Sequence, residues 1–238
     1  MKSIGYGLAL LLVLAACHRD SVDTVQPEYD NWYTLRSPDA GSIDAVWGDI
    51  DRTVVIASTT LTLYRTTDRG ESWQQVYAKN QPVTGLVMQK DTLFATSGML
   101  YAGGEVTLVN TALYSIDLGA TWLTYHRINP TFDLVGYAGN SGIKTNPVTA
   151  TNGVTYTIRR QYLNDSTKIR GRFITPGVVT QTGRQIDLPK RHQLRSLALD
   201  AKGRLYAAGS DEVCELSPNF RYCNGGRGVV YVSKNPLP

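Results

Sequence analysis

The sequence predicts an all-β fold assembled from repeated four-stranded units, and three observations carry that prediction. Of 238 residues, 56 are Val, Ile or Thr and 14 are Tyr, whereas Lys and Glu together number 13. β-branched and aromatic side chains suit pleated strands, and strong helix formers are scarce. The chain has 22 Gly and only 18% charged residues, so it has many turns around a large apolar interior. That composition excludes disorder for the body of the chain. The third observation is a repeat. Leu63-Tyr64-Arg65-Thr66-Thr67-Asp68-Arg69-Gly70-Glu71-Ser72-Trp73 is echoed by Leu113-Tyr114-Ser115-Ile116-Asp117-Leu118-Gly119-Ala120-Thr121-Trp122. Both satisfy [Ser/Thr]-x-Asp-x-Gly-x-x-Trp, and Asp68 and Asp117 stand 49 positions apart. A period near 50 is that of one supersecondary unit per repeat, as in the blades of a propeller.

The chain begins with an address. Lys2 precedes 13 apolar positions, 4–16, too few for a spanning helix of about 20 residues. The stretch ends Leu14-Ala15-Ala16-Cys17, which looks like a bacterial lipobox. Residues 1–16 are therefore expected to be a lipoprotein signal peptide, with Cys17 as the lipidated residue. Several acyl chains anchor stably where one does not. Residues 17–30, polar and containing Pro27, read as a flexible tether, leaving 31–238 as the folded domain. Export also fits Cys214 and Cys223, expected to close a small disulfide loop in an oxidising compartment. His18, His126 and His192 have no ligand-like spacing to either Cys, so neither a metal site nor a cofactor is expected.

Reading outward from the repeats places the strands. Blade 1 takes 43–48, 53–58, 62–67 and 73–79; blade 2 takes 84–90, 93–97, 112–116 and 122–127. Blade 3 is degenerate, with strands at 133–138, 154–160, 168–175 and 178–186 and its turn reduced to Thr175-Pro176-Gly177. Blade 4 takes 194–200 and 205–208, then, after an insertion, 228–235, with Asn235 in the place of the Asp. The chain then lacks one strand, and Asn31-Trp32-Tyr33-Thr34-Leu35-Arg36 has the Trp-led pattern to supply it. Residues 31–36 are expected to complete the last blade and seal the ring. The span divides into four units of about 52 residues; five blades is the alternative if blade 3 hides a further split.

These octapeptides resemble the Asp boxes of sialidase-type (BNR repeat) propellers. The resemblance implies a structural role for Thr66, Asp68, Gly70 and Trp73 and for Ser115, Asp117, Gly119 and Trp122. Hydroxyl and carboxylate would accept bonds from turn N–H groups, the Gly would take a backbone conformation costly to other residues, and the Trp would pack between blades. It also implies that the 1–2 and 3–4 turns share the box face, while the 2–3 and inter-blade loops form the ligand-binding face. Two insertions fall on that second face, 99–111 and 211–227. The candidate ligand-binding residues are accordingly Tyr101, Glu105, Arg191, Arg221, Tyr222 and Arg227.

Between residues 159 and 204 stand 11 Lys or Arg against 3 Asp or Glu. Arg-rich surfaces favour carboxylates and phosphates, and an ordinary solvated face is the competing reading. Nucleic acid is not expected as a partner. Sialidase chemistry requires an arginine triad, a Tyr nucleophile with a Glu partner and an acid/base Asp. The family's early Phe/Tyr-Arg-Ile-Pro signature is absent, and Arg172-Phe173-Ile174-Thr175-Pro176 departs from it. No Ser-His-Asp pattern or Gly-rich phosphate loop offers another chemistry. The expectation is a lipid-anchored, non-catalytic module of the cell envelope, on the outer membrane, that binds a glycan or a protein. An exo-sialidase-like glycoside hydrolase is the alternative.

Overall fold

The computed structural model describes residues 29–102, 104–126, 143–162, 173–215, 221–223 and 225–238. Four antiparallel sheets form four blades. The first strand of the chain, β1 (Trp32–Arg36), belongs to the last blade. Blade I holds β2 (Ile43–Asp49), β3 (Thr53–Ser58), β4 (Thr62–Thr66) and β5 (Gln74–Ala78). Blade II holds β6 (Gly85–Gln89), β7 (Thr92–Ala102), β8 (Glu105–Ser115) and β9 (Leu123–Thr124), with β10 (Lys144–Asn146) added to the upper part of β8. Blade III holds β11 (Val148–Thr149), β12 (Thr155–Tyr162), β13 (Phe173–Thr180) and β14 (Gln185–Ile186). Blade IV holds β15 (His192–Leu199), β16 (Leu205–Glu215) and β18 (Val229–Ser233), with β17 (Arg221–Tyr222) paired to β16.

The ring closes as expected. β1 pairs antiparallel with β18, from Trp32↔Ser233 to Arg36↔Val229. N-terminal chain thus supplies the outer strand of the C-terminal blade.

Burial explains why the sequence forms these strands. β3, β18 and the Leu205–Asp211 part of β16 are buried along their length, not alternately. Each is a middle strand covered on both faces by neighbouring blades, the condition that favours continuous apolar runs. Outer strands see water; β5, Gln-Gln-Val-Tyr-Ala, is only partly covered. The core consequently lies between blades. One cluster joins IV and I through Leu35, Ile43, Ile56, Tyr206 and Val230. A second joins I and II through Ala45, Val55, Leu86, Leu93 and Leu113, and a third joins III and IV through Tyr156, Val178, Leu197, Leu205 and Tyr231.

Three expectations need correction. Residues 99–111 are not a loop: β7 and β8 continue through them as one long hairpin, from Leu93↔Ser115 to Ala102↔Glu105. Thr175-Pro176-Gly177 is not the blade III turn but lies inside β13, where Gly177 opposes Arg159 beside a register shift. A bulge tolerates a Pro without a ladder N–H and a Gly at φ 155°. The blade III turn lies at 181–184, and the third and fourth strands of that blade sit later than expected. Its first strand is Val148–Thr149; the span 133–138 lies outside the described residues, as do Cys17 and the segment 1–28.

Candidate functional site: the hairpin face

The two ends of the propeller are chemically different. At one end lie the 1–2 and 3–4 turns, including both octapeptides, which superimpose bond for bond. Thr66 Oγ1 donates to Asp68 Oδ1 at 2.7 Å and accepts from Gly70 N at 2.9 Å. Ser115 Oγ donates to Asp117 Oδ1 at 2.7 Å and accepts from Gly119 N at 2.8 Å. The carboxylates then accept from Ser72 N at 3.0 Å and Thr121 N at 2.9 Å, and from the hydroxyls of the same two residues. Burial would raise the pKa of Asp68 and Asp117, but these hydrogen bonds outweigh it and hold each at about 2. Both carboxylates are thus fully committed to closing a turn.

Gly70 and Gly119 also mark where blades touch. Both have φ above +80°, and an added Cβ would come 2.7 Å from Leu35 Cδ2 at Gly70 and 2.6 Å from Val55 Cγ2 at Gly119. Trp73 and Trp122 pack on the IV/I and I/II clusters respectively. Blade III keeps a remnant of the same device: Thr180 Oγ1 meets Thr182 Oγ1 at 2.9 Å and accepts from Arg184 N at 3.2 Å. In blade IV the hydroxyl is redirected, and Ser233 Oγ accepts from Leu205 N at 2.8 Å.

A buried ion cluster bolts blades IV and I together at this same end. Arg204, its side chain 5% exposed, pairs with Asp200 at 2.6 Å, with Asp51 at 2.8 Å and with Asp49. Lys202 and Arg69 add further contacts to Asp51 at 2.7 and 2.8 Å. Tyr206 Oη accepts from Ile50 N at 2.8 Å and donates to Asp200 at 3.3 Å. Desolvation raises the Tyr206 pKa well above the usual tyrosine range. Arg195–Asp44 at 2.9 Å and Lys190–Glu212 at 3.3 Å claim two more cations of the basic 159–204 region. Four of the cations in that region are thus paired with carboxylates, Arg204 alone of the four being buried.

The opposite end carries the 2–3 connections and the links between blades. Among the described residues, three strand pairs, β7–β8, β12–β13 and β16–β17, extend past the strands that flank them. Tyr101 is 60% exposed near the tip of the first, with Leu100 at 49%. Glu105, across the same hairpin, pairs with Lys144 of β10 at 2.7 Å. On the β16–β17 hairpin Cys214 is joined to Cys223, with Cα atoms 5.2 Å apart. There Arg221 pairs with Glu215, and Tyr222 is 38% exposed. Arg191 is exposed just before β15, its carbonyl accepting from Val213 N at 2.8 Å; Arg227 is half-buried below β17.

The six candidate residues thus share a face but form two groups. Tyr101 and Glu105 belong to blade II, and Arg191, Arg221, Tyr222 and Arg227 belong to blade IV. Among the described residues no hydrogen bond or ion pair joins the groups. His192, next to Arg191 in the chain, is a core residue: Nδ1 meets Ser210 O and Nε2 meets Tyr231 Oη, both at 2.9 Å. Burial lowers its pKa, so it stays neutral.

Sequence reasoning missed Arg160, on β12. Its guanidinium lies between two rings, 5.3 Å from the centroid of Tyr101 and 5.1 Å from that of Phe173. Tyr162 meets Phe173 edge-on at 5.9 Å. The only available signal was an Arg in a strand flanked by aromatics; Phe173 sits on the paired strand of the same hairpin, but Tyr101 belongs to another blade. A cavity of about 600 Å³ also runs between the inner strands, touching Trp47, Met88, Thr145 and Ser196. It opens where blade III contributes an inner strand of only two residues, β11.

Among solved structures the chain is similar to the WD40 β-propeller domain of Doa1, with 11% identity, a TM-score of 0.40, and coverage of 86% of this chain and 96% of that one. It is also similar to virginiamycin B lyase from Staphylococcus aureus (14% identity, TM-score 0.28, 80% of this chain and 58% of that). YCF48 bound to D1 peptide is a third (14%, 0.29, 76% and 66%). No protein-family model and no curated protein matches the sequence. Blade count and ring closure here rest on the strand pairing itself.

Proposed function

We propose that the chain is a lipid-anchored module of the bacterial cell envelope that binds a protein or glycan partner on its hairpin face without turning it over. The observation that carries this reading is the asymmetry between the ends. Both faces expose aliphatic side chains, Ile116 and Leu118 at one end and Leu100 at the other, but the octapeptide carboxylates are committed to their own turns, and among the described residues the exposed aromatic rings, Tyr101 and Tyr222, stand on the hairpin face. Exposed aromatic groups on a rigid scaffold are the usual currency of recognition.

The anchor supports a consistent geometry. The lipobox ending at Cys17 puts acyl chains ahead of the tether, and the tether joins the domain at Trp32, which pairs with Ser233 beside the octapeptide face. The tether thus joins the domain at the end opposite the hairpin face, leaving that face unobstructed by its attachment.

The test is photo-cross-linking in the native envelope from positions 101 and 222, with the 67% exposed Ile116 of the octapeptide face as control. Adducts from the hairpin positions alone are expected; equal adducts from Ile116 would overturn the face assignment. Incubation with a mixed panel of acidic and neutral glycans, read by mass spectrometry, tests the absence of turnover, and cleavage of any member would replace this reading with a hydrolase. Cys17→Ala should release the protein from the membrane fraction; unchanged fractionation would remove the lipid anchor.

A further inference from the structure

We propose that the outer part of β7 accepts an extended acidic peptide as an added strand, with a carboxylate of that peptide held by Arg160. This rests on the hairpin face being the binding face and names the class of partner it takes. The first element is an unfinished sheet edge. β6 pairs with β7 only from Gln89↔Thr92 to Gly85↔Thr96. Beyond it, β7 pairs with β8 alone, from Gly98↔Val109 to Ala102↔Glu105. Among the described residues no other backbone hydrogen bond reaches positions 98–102. Such an edge presents a row of N–H and C=O groups at strand spacing, the template for strand addition.

The second element is an unclaimed guanidinium beside that edge. Arg69, Arg195, Arg204 and Arg221 each hold a carboxylate. Arg160 has none among the described residues, and its Nε is buried without a hydrogen-bond partner. Tyr101 and Phe173 both lie within cation–π range of the guanidinium and restrain its rotation, and neither ring satisfies its N–H donors, which favour a carboxylate.

Strand geometry connects the two. A residue opposite Tyr101 on an added strand points to the same side as Tyr101, with Cβ atoms about 5 Å apart. A Glu there spans to a guanidinium lying 5.3 Å from the Tyr101 ring and forms a charge-assisted bidentate pair. Alternating apolar or Thr side chains of the peptide then meet Leu100 and its neighbours. A glycan offers the carboxylate but no backbone ladder, which is why a peptide is the occupant argued here.

The test uses the full chain in detergent and fluorescence anisotropy with a labelled octapeptide of alternating Thr and Glu. Comparison ligands are its Gln counterpart, a version N-methylated at alternate residues, and an oligogalacturonate. Saturable binding of the Glu peptide is expected, weaker by about tenfold or more for the Gln and N-methyl peptides and for Arg160→Met. Arg160→Lys should keep part of the affinity. Equal binding of Glu and Gln peptides, or of parent and N-methyl peptides, would overturn the proposal without relying on any protein variant. Arg160-dependent binding of oligogalacturonate with none of the peptide would also overturn it. If the peptide fails while cross-linking from position 101 succeeds, the hairpin reading stands and this inference falls; failure of both removes both.

Discussion

The octapeptide face and the hairpin face are the two ends of the same strands, yet their polar groups differ in setting: the first end buries Arg204 and Asp200 between blades, whereas the pairs Glu105–Lys144 and Arg221–Glu215 of the second are exposed. At the octapeptide face, Asp68, Asp117 and Asp200 each accept several bonds from turns within eight residues, and Arg204 is enclosed by three carboxylates. At the hairpin face, Arg160 lies against two rings with no carboxylate partner among the described residues, and Tyr101 and Leu100 face water. The first end welds blades together; the second leaves groups available. Stability and recognition are thereby separated along the propeller axis, and substitutions at the two ends should report on different properties.

The sharpest way to break this contrast is at Arg204. Arg204→Ala leaves Asp49, Asp51 and Asp200 facing one another and should cost about 3 kcal/mol, the low end for a broken buried pair because Asp49 and Asp51 keep some solvent. Urea unfolding at neutral pH measures it; a loss under about 1 kcal/mol would remove the clamp. Two glycines make a matched comparison. Both Gly119 and Gly104 have positive φ, but an added Cβ meets Val55 at the first and nothing within 4 Å at the second. Gly119→Ala should therefore cost about 2–3 kcal/mol and Gly104→Ala about 1 kcal/mol. Equal losses would show that blade contact at the octapeptide adds nothing.

Acid provides a third handle. The folded-state pKa of Asp68 and Asp117 lies near 2, below the ordinary 3.8. Their contribution is thus present above about pH 4 and lost as pH falls through 2. Asp68→Asn with Asp117→Asn should flatten the stability profile across that window, and a profile parallel to wild type would sink the assignment. The smallest stability effects belong to the other face. Tyr101→Ala, read with the cross-linker at 222, and Tyr222→Ala, read with it at 101, should each shift stability by no more than about 0.5 kcal/mol while weakening the adducts. A larger loss would make those rings structural.

What was legible from the chain follows the range of the interactions. Each octapeptide completes its bonds within a few residues, so Thr66, Asp68, Gly70 and their counterparts could be read locally. The closing strand was legible because Trp32 repeats a pattern set by Trp73 and Trp122. The blade II hairpin was misread, although Val106 and Leu108 carry the alternation of a strand, because Gly103 and Gly104 invited a loop reading. Thr175-Pro176-Gly177 was misread for the same reason: Pro-Gly signals a turn, and only pairing with Arg159 reveals a bulge.

By itself, then, the sequence determined the all-β class, the blade period, the strand that closes the ring and the chemistry of two turns, all of them products of local pattern and spacing. Tertiary structure alone decided which of the described cations meet carboxylates and which meet rings. Arg204 and Arg160 are both arginines of strand-rich segments. One lies against Asp49 and Asp51, about 150 residues earlier in the chain, and the other between rings of two blades. No local pattern encodes these partners: Asp49 and Asp51 reach Arg204 only when the last blade meets the first, and Tyr101 reaches Arg160 only when blade II packs on blade III.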